Sequence, residues 1–573
     1  MVSLVDKERI LLRPGLKTLL DRAAASHGRA AALLVALCLL TFLPGFFIIP
    51  PVDRDEARFA QATKQMIESG DYVDIRFQDE SRYKKPVGIY WLQAGFVKIG
   101  DAVGVPRAHT RIFLYRFPSL IGAIGAVLLT YWAALAFVSR RAAVLAAIMM
   151  ATSILLGAEA RLAKTDAVLL STIVAAMGAL GRAYLGGRDT HHDTSHPWRL
   201  PAIFWTAIAG GVLLKGPVIL MFVCLAAATL VAIDRSGVWL MRLKPAAGVA
   251  WLLLLVLPWF AAIIAKSGVS FFTESLGHDL FAKLGSGQES HGAPPGTYLA
   301  LFWVTFFPGA MLAGLATPGV WRARREPGAK FLIAWIVPAW VVLEIVATKL
   351  PHYVLPLYPA IAILIAGAVD SHALSRQRLL MTAPAWWFVL TIAFAIAALA
   401  LHIQIGQQPG FAAWPFLVAA VIVSLFAWRL FQVDGAEISL LRAAAASVLI
   451  AWGIFGATFA SIPRLFPAND LSKYIRFTAG CDDPMVATAG YHEPSLVFLT
   501  GTDLRHASGP EAAEFLKPGG CRFAFIESRQ ERSFAQRADA IGLRYAKGMR
   551  VEGVNISTGR QIAVTVYRAE RKQ

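Results

Sequence analysis

Charge and cysteine are both scarce in this chain: of 573 residues only 16% are Asp, Glu, Lys or Arg, and four are cysteine. Length alone would allow several soluble domains. The shortage of charge, with 57% hydrophobic residues and a mean hydropathy of +0.56, excludes that reading for most of the chain. It describes a multi-span membrane protein instead. Acidic residues are outnumbered, giving a formal charge of +18. The basic residues sit mainly in short loops between apolar runs, so the excess reads as a positive-inside signal and nucleic-acid binding is excluded as a role. No internal repeat or low-complexity tract stands out. The first apolar run, Ala30 to Ile49, lacks an A-x-A cleavage site before Pro50-Pro51 and is expected to be a retained span rather than a signal peptide.

Apolar runs of suitable length predict about thirteen spans, in a polytopic α-helical membrane domain over 1–465. With the N-terminus cytoplasmic, the basic pairs Arg140-Arg141, Arg322 to Lys330, Arg376 with Arg378 and Arg429 with Arg442 all fall inside. The outer face then receives the loops 51–110 and 266–297, the turns Arg161 to Asp166, Lys215 and Lys349 to Tyr353, and everything after Pro463. From about Phe466 to Gln573 the pattern changes. Short β-rich runs (Met485 to Thr488, Arg522 to Ile526, Ile562 to Tyr567) alternate with helical stretches such as Glu531 to Ile541, predicting a soluble α/β domain. Cys38 and Cys224 lie in apolar runs as packing residues. Cys481 and Cys521 fall in the last domain, where an oxidising compartment permits a disulfide.

The stretch Pro51 to Trp91 crowds acids and bases beside the membrane. Asp53-Arg54-Asp55-Glu56 leaves the first span and is expected to start an amphipathic interfacial helix, with Asp53 and Glu56 as an acidic capping box and Gly70 as the stop. For Asp53 and Glu56 capping explains the residues as well as chemistry does. Asp55, with Arg58 one turn on, is the better functional candidate. Tyr83-Lys84-Lys85-Pro86 places two ammonium groups at the membrane edge, read either as snorkelling lysines or as a phosphate site. Asp166 opens an apolar helix, where a carboxylate is a good cap and also a second acid on the same face. Lys349, His352 and Tyr353 put a cation, an imidazole and a phenol in a turn that needs none of them to fold. Glu289 and His291 are candidate substrate contacts, since with His278 they match no strong zinc spacing.

Together these motifs resemble a known family. Asp-Glu-x-Arg in the first outer loop, Lys-Pro followed by Tyr-Trp, Arg-x-x-Lys-Thr-Asp and a late lysine–proline–tyrosine turn are similar to the bacterial aminoarabinose transferases of lipid A. More broadly they resemble protein O-mannosyltransferase-like enzymes of the GT-C superfamily. The resemblance implies a glycosyltransferase of the bacterial inner membrane taking a sugar from a polyprenyl-phosphate donor. Lipid A, another glycolipid or a protein is then the acceptor. It implies Asp55 and Asp166 as catalytic acids and Lys85 and Tyr353 at the donor phosphate, to which Arg58, one turn from Asp55, is added. Tyr83, Lys349, His352, Glu289 and His291 are added as candidate substrate contacts, and the residues leave a divalent metal undecided. His352, in Lys-Leu-Pro-His-Tyr, departs from the family pattern, and so does Pro86-Val87 in place of a doubled proline. A transporter would gather charge at the membrane midplane in broken spans. Here it gathers at one interface.

Overall fold

The computed structural model describes residues 15–186, 197–273, 292–481 and 483–570. Eight helices among them are long and apolar enough to cross a membrane, and the pair Thr297–Thr305 with Ala310–Arg322, bent by 116°, makes a ninth. His27–Phe42 and Val218–Asp234 are apolar but shorter. The thirteen spans expected from apolar runs are not reached by this measure, because several runs are broken rather than continuous. The run over 142–160, for example, is divided at Thr152 and Ser153 into Arg140–Ala151 and Ile154–Glu159.

Small residues set the closest helix contact. Ile112–Ala134 lies so near Asp166–Leu185 that a Cβ on Gly122 would stand 2.7 Å from the backbone Cα of Val168. Farther along the same pair, Gly178 accommodates the ring of Trp132. In a membrane, where apolar burial gives no preference for protein over lipid, such close approach supplies dispersion and fixes helix position. The crossing places Asp166 beside the loop of residues 51–110.

That loop contains the helix Asp55–Ser69, the hairpin of β1 (Arg76–Phe77) and β2 (Glu80–Ser81), and the helix Gly88–Ala102. Gly70 ends the first helix at φ +71°, as expected of a left-handed C-terminal residue. The expected capping box does not form. Arg54 is the N-cap, at φ 68°, with no side-chain cap. Asp53 instead accepts the Ser495 N–H (2.9 Å), and Glu56 accepts the N–H groups of Val52 and Ala163. Tertiary partners have claimed both acids.

After the helix Pro467–Thr478 the chain builds a five-stranded mixed sheet in the order β4-β3-β5-β7-β6. Its strands are β3 (Met485–Ala489), β4 (Arg505–Ala507), β5 (Arg522–Glu527), β6 (Tyr545–Asn555) and β7 (Arg560–Ala569). β3 pairs in parallel with β4 and β5, while β7 lies antiparallel to β5 and β6. The period-2 alternation of β5 divides the core: Phe523 and Phe525 pack on one face with Leu471 and Ile475, Ala524 and Ile526 on the other with Leu516 and Phe534. Cys481 and Cys521 are joined by a disulfide.

This sheet domain is docked on the first loop. Gln78 donates to the carbonyls of Thr502 (2.9 Å) and Leu504 (2.7 Å), Gln61 to Thr502 Oγ1 (2.9 Å), and Lys64 to the Phe498 carbonyl (3.3 Å). Phe498 meets Tyr115 edge-on, with ring centroids 5.2 Å apart. The helix Asp55–Ser69 is therefore enclosed between membrane helices and sheet domain, and Gln61, Thr63 and Lys64 are all buried.

Candidate active site

A cavity of about 340 Å³ opens where the first loop meets the turns 161–166 and 348–353. Its wall carries seven cationic side chains, Arg54, Arg58, Arg82, Lys84, Lys85, Lys164 and Lys215, against four carboxylates, Asp53, Asp55, Glu56 and Asp166. One of the four is already neutralised from behind. Glu56 is bound through both oxygens by Arg116, at 2.8 Å each, and both side chains are 1% exposed. Cations therefore outnumber carboxylates along the cavity wall. Arg82 sharpens the point: it is buried, its guanidinium lies 5.2 Å from the Phe59 ring centroid, and its Nε has no hydrogen-bond partner among the described residues. Buried donors are nearly always satisfied, so this one Nε–H beside the cavity marks a place for an acceptor.

On the opposite wall Asp166 heads its helix and is paired with Lys215, with Lys164 at 3.7 Å. Lys164 also binds Glu159 at 2.9 Å. His352 stands between the two acids, Nδ1 3.6 Å from Glu159 and Nε2 3.6 Å from Asp166, and its Nδ1 is 3.4 Å from Lys164 Nζ. Tyr353 turns its ring toward Lys215, whose ammonium lies 5.2 Å from the ring centroid. Ligand atoms of Glu159, Asp166 and His352 all fall within 4.8 Å of one another, which suits a metal ion geometrically. The charge does not suit one, because lysine ammonium groups already sit on both carboxylates. A divalent ion would have to displace them, and the residues as arranged do not fit it.

Asp55, Arg58, Lys85, Asp166, His352 and Tyr353 all line this cavity. Tyr83 and Lys349 do not. The Tyr83 hydroxyl donates to Asp74 (2.8 Å), its ring packs on Phe271, and burial together with Asp74 raises its phenol to about 12. Lys349 turns away to the Val346 carbonyl at 2.6 Å. Neither is brought to this cavity, for one reason: each is satisfied by its own local segment. Glu289 and His291 lie outside the described residues. Lys164, Lys215, Arg82 and Glu159 were not singled out from the sequence. Glu159 carried a signal nonetheless, as a carboxylate inside an apolar run, where an ionisable residue needs a partner.

Comparison with known proteins adds to this geometry. The family model for dolichyl-phosphate-mannose-protein mannosyltransferase matches residues 32–271. The structure of ArnT from Cupriavidus metallidurans bound to undecaprenyl phosphate superimposes with a TM-score of 0.69 at 18% identity, covering 93% of this chain and 97% of that one. The chain shares the fold of that structure, which is of GT-C type. It also resembles aminoarabinose transferases in sequence. The undecaprenyl phosphate-alpha-4-amino-4-deoxy-L-arabinose arabinosyl transferase of Edwardsiella ictaluri is 28% identical over 348 residues, 59% of this chain, and the match spans only 58% of that relative's length. The enzyme of the same description from Pseudomonas paraeruginosa is 25% identical over 450 residues, 76% of this chain and 77% of the relative. A multi-span GT-C fold thus holds the cationic cavity.

Proposed function

We propose that this protein is an inner-membrane glycosyltransferase that moves a sugar from a polyprenyl-phosphate donor to lipid A or another envelope glycolipid on the periplasmic face. One observation carries the reading: a cavity whose cations outnumber its carboxylates seven to four and whose lining includes a buried Arg82 Nε with no hydrogen-bond partner among the described residues. Such a cavity suits a phosphodiester whose negative charge grows as the sugar leaves. The names of the relatives support the donor class.

Displacement at the anomeric carbon leaves negative charge on the departing phosphate. Lys85 and Tyr353, with Arg58, are placed around the cavity to stabilise it, and fixed charges in a partly dry site act more strongly than in water. Lys215 also counters Asp166, so Asp166 serves best as the anchor that fixes Lys215 and Lys164. Asp55 is exposed at the first turn of its helix and faces the cavity. For a hydroxyl acceptor it is the general base. For a phosphate acceptor, already ionised, it orients the sugar. A single displacement inverts the anomeric centre.

The loop charges support an orientation with the N-terminus in the cytoplasm and residues 466–573 as a periplasmic domain. A reporter fused after Arg325 should then read cytoplasm, and one after Gly520 periplasm. For the chemistry, Asp55→Ala and Lys85→Ala should each abolish sugar transfer while leaving insertion and yield unchanged. Full activity in both variants would overturn the site. Mass spectrometry of lipid A from cells with and without the protein tests the acceptor. An unchanged lipid A with a newly glycosylated envelope protein would favour the protein O-glycosyltransferase reading, toward which the mannosyltransferase family match points.

A further inference from the structure

Three arginines gather where the sheet domain comes down on the first loop. Arg107 and Arg111 flank the short helix Ala108–Thr110, directly ahead of the candidate span Ile112–Ala134, so both stand at the level where that span leaves the bilayer. Arg476 comes from the other side of the seam, in the last turn of Pro467–Thr478. A chain of contacts brings it over. Arg476 Nε donates to the Ser472 carbonyl (3.2 Å), Ser472 Oγ donates to the Leu499 carbonyl (3.3 Å), and Leu499 packs with Val105, Ala108 and Ile112. Burial, and then Arg107 and Arg111, lower the Arg476 guanidinium from its ordinary value, so the charges act on one another across the seam. Among the described residues none of the three forms a salt bridge: Arg111 Nε turns to the Pro106 carbonyl (3.1 Å), and Asp470, on the helix of Arg476, faces Lys473 instead (4.0 Å). The surface beside the cluster is apolar. Ile99 and Val103, one turn apart at the end of Gly88–Ala102, are 59% and 72% exposed, and Phe477, next to Arg476, is 87% exposed.

We infer that this seam binds the headgroup of a membrane phospholipid with net negative charge, its phosphate on Arg107, Arg111 and Arg476 and its acyl chains along Ile99, Val103 and Phe477. The inference is separate from sugar transfer, since none of these residues lines the candidate site. Like charges drawn together from two folded units repel, and an anion from outside supplies the charge that the chain itself does not. Water and salt screen part of that repulsion. A phosphodiester removes it and adds charge-assisted hydrogen bonds, because the donor fork of arginine matches two phosphate oxygens at once. A free anion would answer the charge but leave the apolar side chains in water, whereas a lipid answers both. Phosphatidylcholine carries the same phosphodiester with a quaternary ammonium that three arginines oppose, so the preference is for a lipid without that cation. The cluster is complete only while the sheet domain is docked. A lipid bound there therefore stabilises the docked arrangement, as any ligand stabilises the state that binds it. The composition of the bilayer thereby bears on the docking that gives Gln61, Gln78 and Asp53 their partners.

The full-length protein in phosphatidylcholine nanodiscs, with and without phosphatidylglycerol, tests this through its apparent melting temperature and through native mass spectrometry of the lipid it retains. Wild type should retain phosphatidylglycerol over phosphatidylcholine by about tenfold, the equivalent of one hydrogen bond to a charged group, and should melt higher when phosphatidylglycerol is present. Arg107→Gln and Arg476→Gln should each lose most of both effects. In phosphatidylcholine alone they should melt no lower than wild type, because each removes a repelling charge. A purely structural role would instead lower melting equally in both bilayers. Arg476→Lys, which keeps the charge and loses the fork, should fall between wild type and Arg476→Gln. Arg532→Gln, an exposed arginine on the helix Glu531–Ala540, should keep both effects. Equal retention of the two lipids by wild type would overturn the inference, and so would glutamine variants that keep the full preference or melt equally lower in both bilayers. If inorganic phosphate added to phosphatidylcholine nanodiscs reproduces the rise in melting temperature, the cluster takes free phosphate and the lipid assignment is overturned.

Discussion

Replacing Glu56 with alanine tests whether the candidate site is held together by one buried ion pair. Arg116 sends Nε and Nη2 to the two oxygens of Glu56, Nη1 to the carbonyls of Phe46 (2.9 Å) and Ile49 (2.8 Å), and Nη2 also to Pro50 (3.1 Å). Glu56 in turn accepts the N–H groups of Val52 (2.8 Å) and Ala163 (2.9 Å). The pair thus ties the end of the first span, the start of the loop helix and the turn before Asp166 to a membrane helix. Alanine would leave a buried guanidinium without its anion, at a cost of about 3–5 kcal/mol. It would also strand two backbone N–H groups, about 1–3 kcal/mol for each that stays buried. Against a typical net stability of about 5–15 kcal/mol, such a loss is decisive. Glu56→Ala should therefore yield little monodisperse protein by fluorescence-detected size exclusion, or melt far below the parent. Glu56→Gln should be milder. Glu56→Leu combined with Arg116→Met should recover part of the loss, because removing both charges removes the penalty that either one alone incurs. A double variant no better than Glu56→Ala, or Glu56→Ala melting with the parent, would refute the reasoning.

Asp53 should make the docking of the sheet domain depend on pH. Burial and the nearby Glu493 raise its carboxyl to about 7 from an ordinary 3.8. Between roughly pH 4 and 7 the native state then holds a proton that the unfolded state has lost, so stability falls as pH rises through that window, by at most about 1.4 kcal/mol per unit, and is flat above it. Melting curves should show this slope in the wild type and a flatter one in Asp53→Asn; equal slopes would contradict it. Gly122→Ala should cost about 1–3 kcal/mol, because its new Cβ meets backbone, whereas Gly125→Ala, whose nearest contact is Ser171 Cβ at 3.7 Å, should be tolerated. Equal melting temperatures for the two variants would show that the helix pair is not set by close approach.

What the sequence reveals about this site depends on how far apart the partners lie. Asp55, Lys85, Asp166 and Tyr353 are visible as polar residues at the ends of apolar runs, and loop charge alone brings their segments to one face. The β-strands of the last domain are legible for a similar reason: the alternation in Arg522 to Ile526 is local. The pairing of Glu56 with Arg116 is not legible, because it joins a loop acid to a cation within a membrane helix and depends on how the helices cross. The failed capping box has the same origin, since Asp53 and Glu56 read as local caps until distant Ser495 and Ala163 N–H groups take them.

The docking of the last domain on the first loop also governs the order in which this protein can become competent. Asp55, Lys85 and their loop are made early and leave the membrane early. The groups that occupy Gln61, Lys64, Gln78 and Asp53 come from Ser495, Phe498, Thr502 and Leu504, close to the end of the chain. Until those residues are synthesised and folded, Gln61 and Asp53 lack these partners, and Lys64 keeps its pair with Glu68. A chain released early would insert into the membrane yet lack a formed site. Formation of the candidate site thus waits on a part of the chain that is made long after the loop itself.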